Sequence, residues 1–288
     1  MAYRKLTVIS SASWVARDLA AAGTIEVVPS LGLDVPDLEG SALWASWAWA
    51  LRLKAAGVEH PFLSPGPHWL PTVPERFLRR RVWSGTLAGM PYQGPVNTFY
   101  KLAEHKHAGI PAAVYLGRGV FQRTALTAFS GAAIGGLAYI GSEPVEFVRE
   151  YRCFIAHGEV TAASFYKATL PGVGDSTVEI TWDAYESAAD PKYPAGSTAE
   201  AAAFAAEVVA AMGDAQPPGY TLDVGTDAEG NWSVVEANAA WSSNIYHAPA
   251  AGVITSILAS QEPGHPDWAW TPDDLFARRA RPLPKGTP

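Results

Sequence analysis

The segment Gly219–Tyr246, GYTLDVGTDAEGNWSVVEANAAWSSNIY, constrains this chain more than any other. Tyr220 to Val224 alternates as a strand does. Thr226 to Asn231 gathers Asp, Gly and Asn and has to turn, and Trp232 to Ala237 returns as a second strand. A period of two puts Glu236 and Asn238 on one face, and Asp223 on the first arm can face the same space. Two carboxylates and an amide offer only oxygen ligands, which suits Mg²⁺ with water and phosphate completing its shell. The alternative is a pair of exposed surface acids. It fits poorly, because Glu236 lies inside VVEANAAW, where an unpaired carboxylate among buried residue types is costly. No Lys or Arg occurs between Gly213 and His247, which leaves Mg²⁺ as the simplest counter-charge. Without metal, Asp223 and Glu236 should repel and one pKa should rise. Glu236→Gln is then expected to be at least as stable as the parent in the absence of metal.

A chain of 288 residues can bury a large core in one domain or in several lobes. The formal net charge of −7 argues against a nucleic-acid partner. A single cysteine, Cys153, excludes an internal disulfide framework and a cysteine zinc cluster, and points to a reducing, cytoplasmic setting. Within YRCFI it reads as a buried, inert thiol. Arg17 and Asp18 interrupt the N-terminal apolar residues, so a signal peptide is not expected. No run approaches the roughly eighteen apolar residues that span a membrane.

Along the chain, Leu6–Ser10 and Ile25–Val28 read as strands, and Trp14–Ala22 and Ser41–Ala56 as helices, the latter capped by Ser41. This alternation suggests a small α/β lobe over residues 1–72. Five prolines in the fifteen residues HPFLSPGPHWLPTVP make a connector. Pro74–Trp83 reads as a helix carrying Arg79, Arg80 and Arg81 on a solvated face, with phosphate or substrate contact as the alternative. From Val96 the segments VNTFYKLA, AAVYL, LTAFS, LAYIG, VEFVREYRCFIA and EVTAASFYK read as strands of antiparallel sheet. Thr169–Pro194 reads as a long loop. Ser197–Met212 is a helix with a Ser197/Glu200 capping box. The segment after Tyr246 reads as helix up to Gln261, and the tail 262–288 as surface chain.

The order Asp, hairpin turn, Glu-x-Asn resembles the magnesium-binding end of ATP-grasp enzymes, with Asp223, Glu236 and Asn238 in the matching places. The segment YIGSEPVEFVREYR resembles that family's linker between lobes. The resemblance implies that Glu143, Pro144 and Val145 meet the adenine edge through their backbone. It also implies that Glu150, seven positions on, takes the ribose hydroxyls, which a carboxylate can accept together. Lys101, near the end of VNTFYKLA, matches the strand lysine that meets phosphate, with Lys106 five residues later. Arg152 in EYRCFI either pairs with Glu150 or forks onto a γ-phosphate or acyl phosphate. Together with Lys167 in SFYK, these residues look like the branch named for one arginine and two lysines. Arg152 is then the arginine, and the lysines are two of Lys101, Lys106 and Lys167. A glycine-rich phosphate loop finds a candidate in Gly131, Gly135 and Gly136, where the glycines otherwise only permit tight turns.

The resemblance, which spans about Val96 to Tyr246, implies an α+β (ATP-grasp) fold. A central lobe (about 73–142) and a C-terminal lobe (about 143–261), both with mostly antiparallel sheets, would grip the nucleotide. It implies an ADP-forming, ATP- and Mg²⁺-dependent ligase that joins a carboxylic acid, an amino acid or peptide, to an amine through an acyl phosphate. The catalytic groups would be Arg152 and Lys167. The alternative on the same fold is a non-catalytic ATP-binding sensor or scaffold. Expected partners are small-molecule or peptide substrates, with no nucleic acid and no membrane; the oligomeric state stays open, a homodimer included.

Overall fold

A computed structural model describes residues 3–90, 96–103, 107–130, 132–171, 177–181 and 196–284. Three parallel strands open the chain: β1 (Lys5–Ile9), followed by helix α1 (Ser13–Ala20), then β2 (Glu26–Ser30) and β3 (Ser41–Trp44) in the order β2-β1-β3. Helix α2 (Trp47–Ala55) follows. The helix expected from Ser41 is therefore split. Ala42 and Leu43 are wholly buried in parallel pairing with β1, and the cap is Ser46, whose side chain accepts from the Trp49 N–H. Apolar side chains run through both pieces, so their period could not mark the break.

The connector leads to α3 (Glu75–Leu78), one short turn ended by Arg79 in the left-handed region at φ 51°. Trp83, expected in that helix, lies instead in β4 (Val82–Thr86). A four-stranded antiparallel sheet in the order β4-β7-β5-β6 is completed by β5 (Thr98–Leu102), β6 (Ala113–Tyr115) and β7 (Ala138–Ser142). Helix α4 (Arg118–Ala128) packs beneath it. The strand expected at LTAFS is the end of this helix. Phe121 and Ala125, four apart, are buried, whereas Leu126 is exposed, so the period is helical.

The larger sheet is antiparallel in the order β10-β9-β8-β11-β12. Its members are β8 (Arg149–Ala156), β9 (Glu159–Pro171), β10 (Thr177–Thr181), β11 (Gly219–Thr226) and β12 (Trp232–Asn238). Part of the expected long loop is thus strand, and residues 172–176 and 182–195 lie outside the described residues. Helix α5 (Gly196–Met212) begins one residue before the expected cap Ser197. It lays Ala201, Ala205, Val208 and Val209 against Tyr151, Cys153, Ile155, Leu222, Val224 and Val234. Burial there pushes the Cys153 thiol pKa up, as an inert core thiol requires.

On the opposite face, helix α6 (Ala250–Ala259) lies between the larger sheet and the first lobe. Its Val253, Ile254 and Ile257 meet Phe154 and Ala162 on one side and Leu6, Val15 and Leu19 on the other. Gly252 permits the approach, since a Cβ there would stand 2.0 Å from the Thr161 carbonyl oxygen. Gly252→Ala would gain about 1 kcal/mol of helix propensity. The overlap outweighs that gain, and a net loss of about 2 kcal/mol is expected in denaturant melts. An unchanged midpoint would mean that α6 can lift from β9 at no cost.

The tail runs mostly over the surface, and some of its side chains join the packing. Trp270 meets Trp241 edge-on at 5.1 Å, and Leu283 is buried with Leu53. Helix α7 (Asp274–Arg279) places Phe276 against Trp47 and Phe129, at 5.6 and 5.5 Å, so it ties the first lobe to the smaller antiparallel sheet's helix side. Among the described residues, no helix is long and apolar enough to cross a membrane.

Candidate active site

Register brings the site together. Arg152 on β8 stands opposite Asp223 on β11, and Asp223 stands opposite Glu236 on β12. Three strands thus place a cation and two carboxylates side by side on the face away from α5. Two β-bulges complete the arrangement. On β12 the partners of Asp223 and Val224 are Glu236 and Val234, which leaves Val235 as the extra residue. Val234 therefore enters the α5 core, while Glu236, two residues on, turns to the other face. On β9 the partners of Glu150 and Tyr151 are Lys167 and Phe165, which leaves Tyr166 extra. Bulges of this kind re-aim side chains beside functional sites.

Arg152 forks onto Asp223: Nε donates to Oδ1 at 2.8 Å and Nη2 to Oδ2 at 2.7 Å. Asp223 is 0% exposed. The Arg152 guanidinium also lies near the Tyr166 and Tyr246 rings, at 5.7 and 5.1 Å, and these two rings stack on each other. Lys101 crosses from β5 of the smaller sheet and donates to Glu236 Oε2; the side chains are only 17% and 19% exposed. The Asn238 amide donates to Glu236 Oε1 at 2.9 Å. Beside them, Glu150 accepts from the Tyr166 hydroxyl at 2.5 Å and meets Lys167 at 3.4 Å, while Lys167 reaches Glu179 at 3.0 Å.

Burial pushes the Asp223 carboxyl up to about 6, with Arg152 opposing the rise and Glu236 and Glu150 adding to it. Repulsion from Glu236, expected from the sequence as the cause, is thus the lesser contribution. Burial also raises Glu236, but the charge of Lys101 and the hydrogen bonds from Lys101 and Asn238 outweigh it and hold that carboxyl well below its usual range. Burial raises the Tyr166 hydroxyl, and the surrounding carboxylates raise it further, so it stays a hydrogen-bond donor.

The donor chemistry fits Mg²⁺. Asp223, Glu236 and Asn238 offer only oxygen ligands on one face. Among the described residues no three His, Cys, Asp or Glu side chains converge as a metal cluster. The chain would thus supply two carboxylates and an amide, and water and phosphate the rest, as is usual for this ion. Both carboxylates carry a cationic partner, Arg152 on Asp223 and Lys101 on Glu236.

Several side chains have partners other than those expected. Arg152 pairs with Asp223 rather than with Glu150, because facing residues on adjacent strands lie closer than residues two apart on one strand. The Glu236 carboxylate has a protein partner after all, in Lys101, which is distant in sequence. Glu143 is held by Arg81, whose Nε donates at 2.8 Å, and the Glu143 N–H donates to the Arg81 carbonyl. Pro144 has no N–H, so of the three expected adenine contacts only the Val145 N–H is left as a donor. Arg80, expected on a solvated face, is buried at 7% exposed. Lys106 and Gly131 lie outside the described residues, and nothing packs within 4 Å of a Cβ built at Gly136. Sequence reasoning misses Tyr166, Tyr246 and Glu179. The alternation in SFYK is legible, but the bulge that puts Tyr166 beside Lys167 is not.

No curated protein matches the chain significantly. Solved structures similar to it include the ATP-grasp ligase PsnB complexed with a minimal precursor, at 15% identity and TM-score 0.41, over 91% of this chain and 100% of that one. D-alanine–D-alanine ligase from Bacillus anthracis complexed with ATP aligns at 13% identity and TM-score 0.43, over 96% and 98%. N5-carboxyaminoimidazole synthetase from Staphylococcus aureus aligns at 10% and 0.44, over 91% and 79%. These likenesses are weak, and the assignment rests on a family model. That model describes an ATP-grasp domain, the second family of the clade named for one arginine and two lysines, and it matches residues 77–255. The match covers more than half of the chain and includes both antiparallel sheets, and the chain therefore belongs to the arginine-and-two-lysines clade of the ATP-grasp family.

Proposed function

We propose that the chain is an ATP- and Mg²⁺-dependent ligase that joins a carboxylic acid to an amine. The observation that carries the reading is the Lys101–Glu236 contact, in which a strand lysine of one antiparallel sheet meets the oxygen-ligand hairpin of the other. In this reading the lobes 73–142 and 143–261 hold the nucleotide between them. The Val145 backbone meets adenine and Glu150 accepts the ribose hydroxyls, moving off Lys167 to do so. Lys101 leaves Glu236 for the phosphates, whose negative charge offers it a better partner. Asp223, Glu236 and Asn238 would hold Mg²⁺, which when bound would neutralise phosphate charge and polarise the γ-phosphorus.

The acid's carboxylate oxygen attacks the γ-phosphorus and ADP leaves, giving an acyl phosphate. The amine nitrogen then attacks the carbonyl carbon, loses one proton, and phosphate departs. Arg152 and Lys167 stabilise the charge that develops on the transferred oxygens, and the chain's contribution is positioning and charge rather than a covalent intermediate. The buried Tyr166 hydroxyl holds Glu150 in place. An ADP-release screen over amino acids and small peptides tests the reading. Sustained ADP release should require both an acid and an amine, with the acid alone giving at most one equivalent per enzyme. ATP binding with no release for any pair would favour the sensor or scaffold alternative.

A further inference from the structure

Arg80 is a buried cation whose acceptors are backbone carbonyls. Nη1 donates to Leu78 O at 3.0 Å and to Val234 O at 2.7 Å, and Nη2 donates to Val235 O at 3.2 Å. Among the described residues it has no carboxylate within ion-pair distance, and burial alone lowers its pKa to about 10. Retaining a charge in such a place is costly unless its hydrogen bonds do something a neutral side chain could not.

Val234 and Val235 are the two residues at the β12 bulge. In a regular strand successive carbonyls point to opposite edges. Here both reach one guanidinium, and β12 is an edge strand, so no further strand takes these oxygens. The bulge decides which way Glu236 faces. If the strand ran regularly through Val235, with no bulge, Val234 and Glu236 would share a face, and either the α5 core would lose Val234 or the site would lose Glu236. Arg80 also lies 5.6 Å from the Phe147 ring, in the segment between β7 and β8, and that ring packs where a Cβ on Gly225 would sit. One side chain therefore touches both the hairpin and the linker.

We infer that Arg80 is a positioning residue: its fork locks the Val234–Val235 bulge and so aims Glu236 at Lys101 and at the metal–phosphate position. The part concerning the metal rests on the proposed ligase reading, whereas the aim of Glu236 at Lys101 does not.

Arg80→Lys keeps the charge but loses the planar fork that reaches two carbonyls at once. The first readout needs no nucleotide. In the parent, thermal melts of Lys101→Met, Glu236→Gln and the double variant should be non-additive, because the side chains are paired. In the Arg80→Lys background the same cycle should become additive. The second readout is the Mg²⁺ concentration at half-maximal ATP binding. It should rise about tenfold in Arg80→Lys, with no further rise when Glu236→Gln is added. If Arg80→Lys does not fold, Arg80→Gln, which can still donate to Val234 O, serves in both measurements. Undiminished coupling between Lys101 and Glu236 in the Arg80 variant would overturn the inference. Loss of that coupling in a protein whose parent binds no ATP would uphold the role of Arg80 and remove the ligase reading instead.

Discussion

Asp223→Asn should be among the most destabilising single changes at this site, by about 3–5 kcal/mol, because it leaves the Arg152 guanidinium buried without its carboxylate. An amide can accept one of the two N–H bonds but carries no charge to offset the cation. Arg152 is buried, with the Tyr166 and Tyr246 rings 5.7 and 5.1 Å away, so little water is at hand to solvate the orphaned charge. Replacing both partners, as in Arg152→Met with Asp223→Leu, should recover most of the loss, because the charges then disappear together. Denaturant unfolding of the three variants reads this directly. A single variant as stable as the parent would mean that the fork is not formed in solution.

On the proposed ligase reading, Glu236→Gln should reduce Mg²⁺-dependent ATP turnover by a factor of roughly 100 or more, because it would weaken the hold on the ion that offsets phosphate charge. It should also lower stability in the absence of metal, by about 1–2 kcal/mol. This is the reverse of what the sequence alone suggests. Lys101 loses its only carboxylate among the described residues, and its side chain is mostly buried, although its flexible stem lets it reach water. The pH dependence has a definite sign. The folded Glu236 carboxyl titrates below its unfolded value of roughly 4.3, so its contribution is complete above that pH and is lost as pH falls further. The stability gap between parent and Gln variant should therefore narrow in acid below pH ~4. A gap that widened there would show that Lys101 does not hold Glu236.

The hairpin is legible in the sequence because its signals are local. Turn residues at 226–231 fix the fold-back, and a period of two fixes the face of Glu236 relative to Asn238. The helix at Ser197–Met212 is legible for the same reason, though it starts at Gly196 rather than after a Ser197 cap. What fails depends on neighbours in space. Ser41–Trp44 has the composition of the helix that follows it and becomes a strand only because β1 lies alongside. Arg80 has the sequence context of a solvated arginine, and only the bulge on β12, more than 150 residues away, gives it a buried role. Lys101 reads as a phosphate contact, yet its partner in the structure is the carboxylate that the sequence leaves without one. The bulges at Val235 and Tyr166 have no glycine to mark them, and each changes the face of the residues after it.

The central claim is that the two antiparallel sheets hold ATP with Mg²⁺ between Lys101 and the Asp223–Glu236–Asn238 hairpin. Calorimetric titration of the parent with ATP, in the presence and absence of Mg²⁺, tests it most directly, with Lys101→Ala as the control. The account predicts binding that tightens at least tenfold with Mg²⁺, no heat from Mg²⁺ alone, and a large loss of affinity in the control with its fold intact. Absence of ATP binding by the parent under both conditions would contradict it.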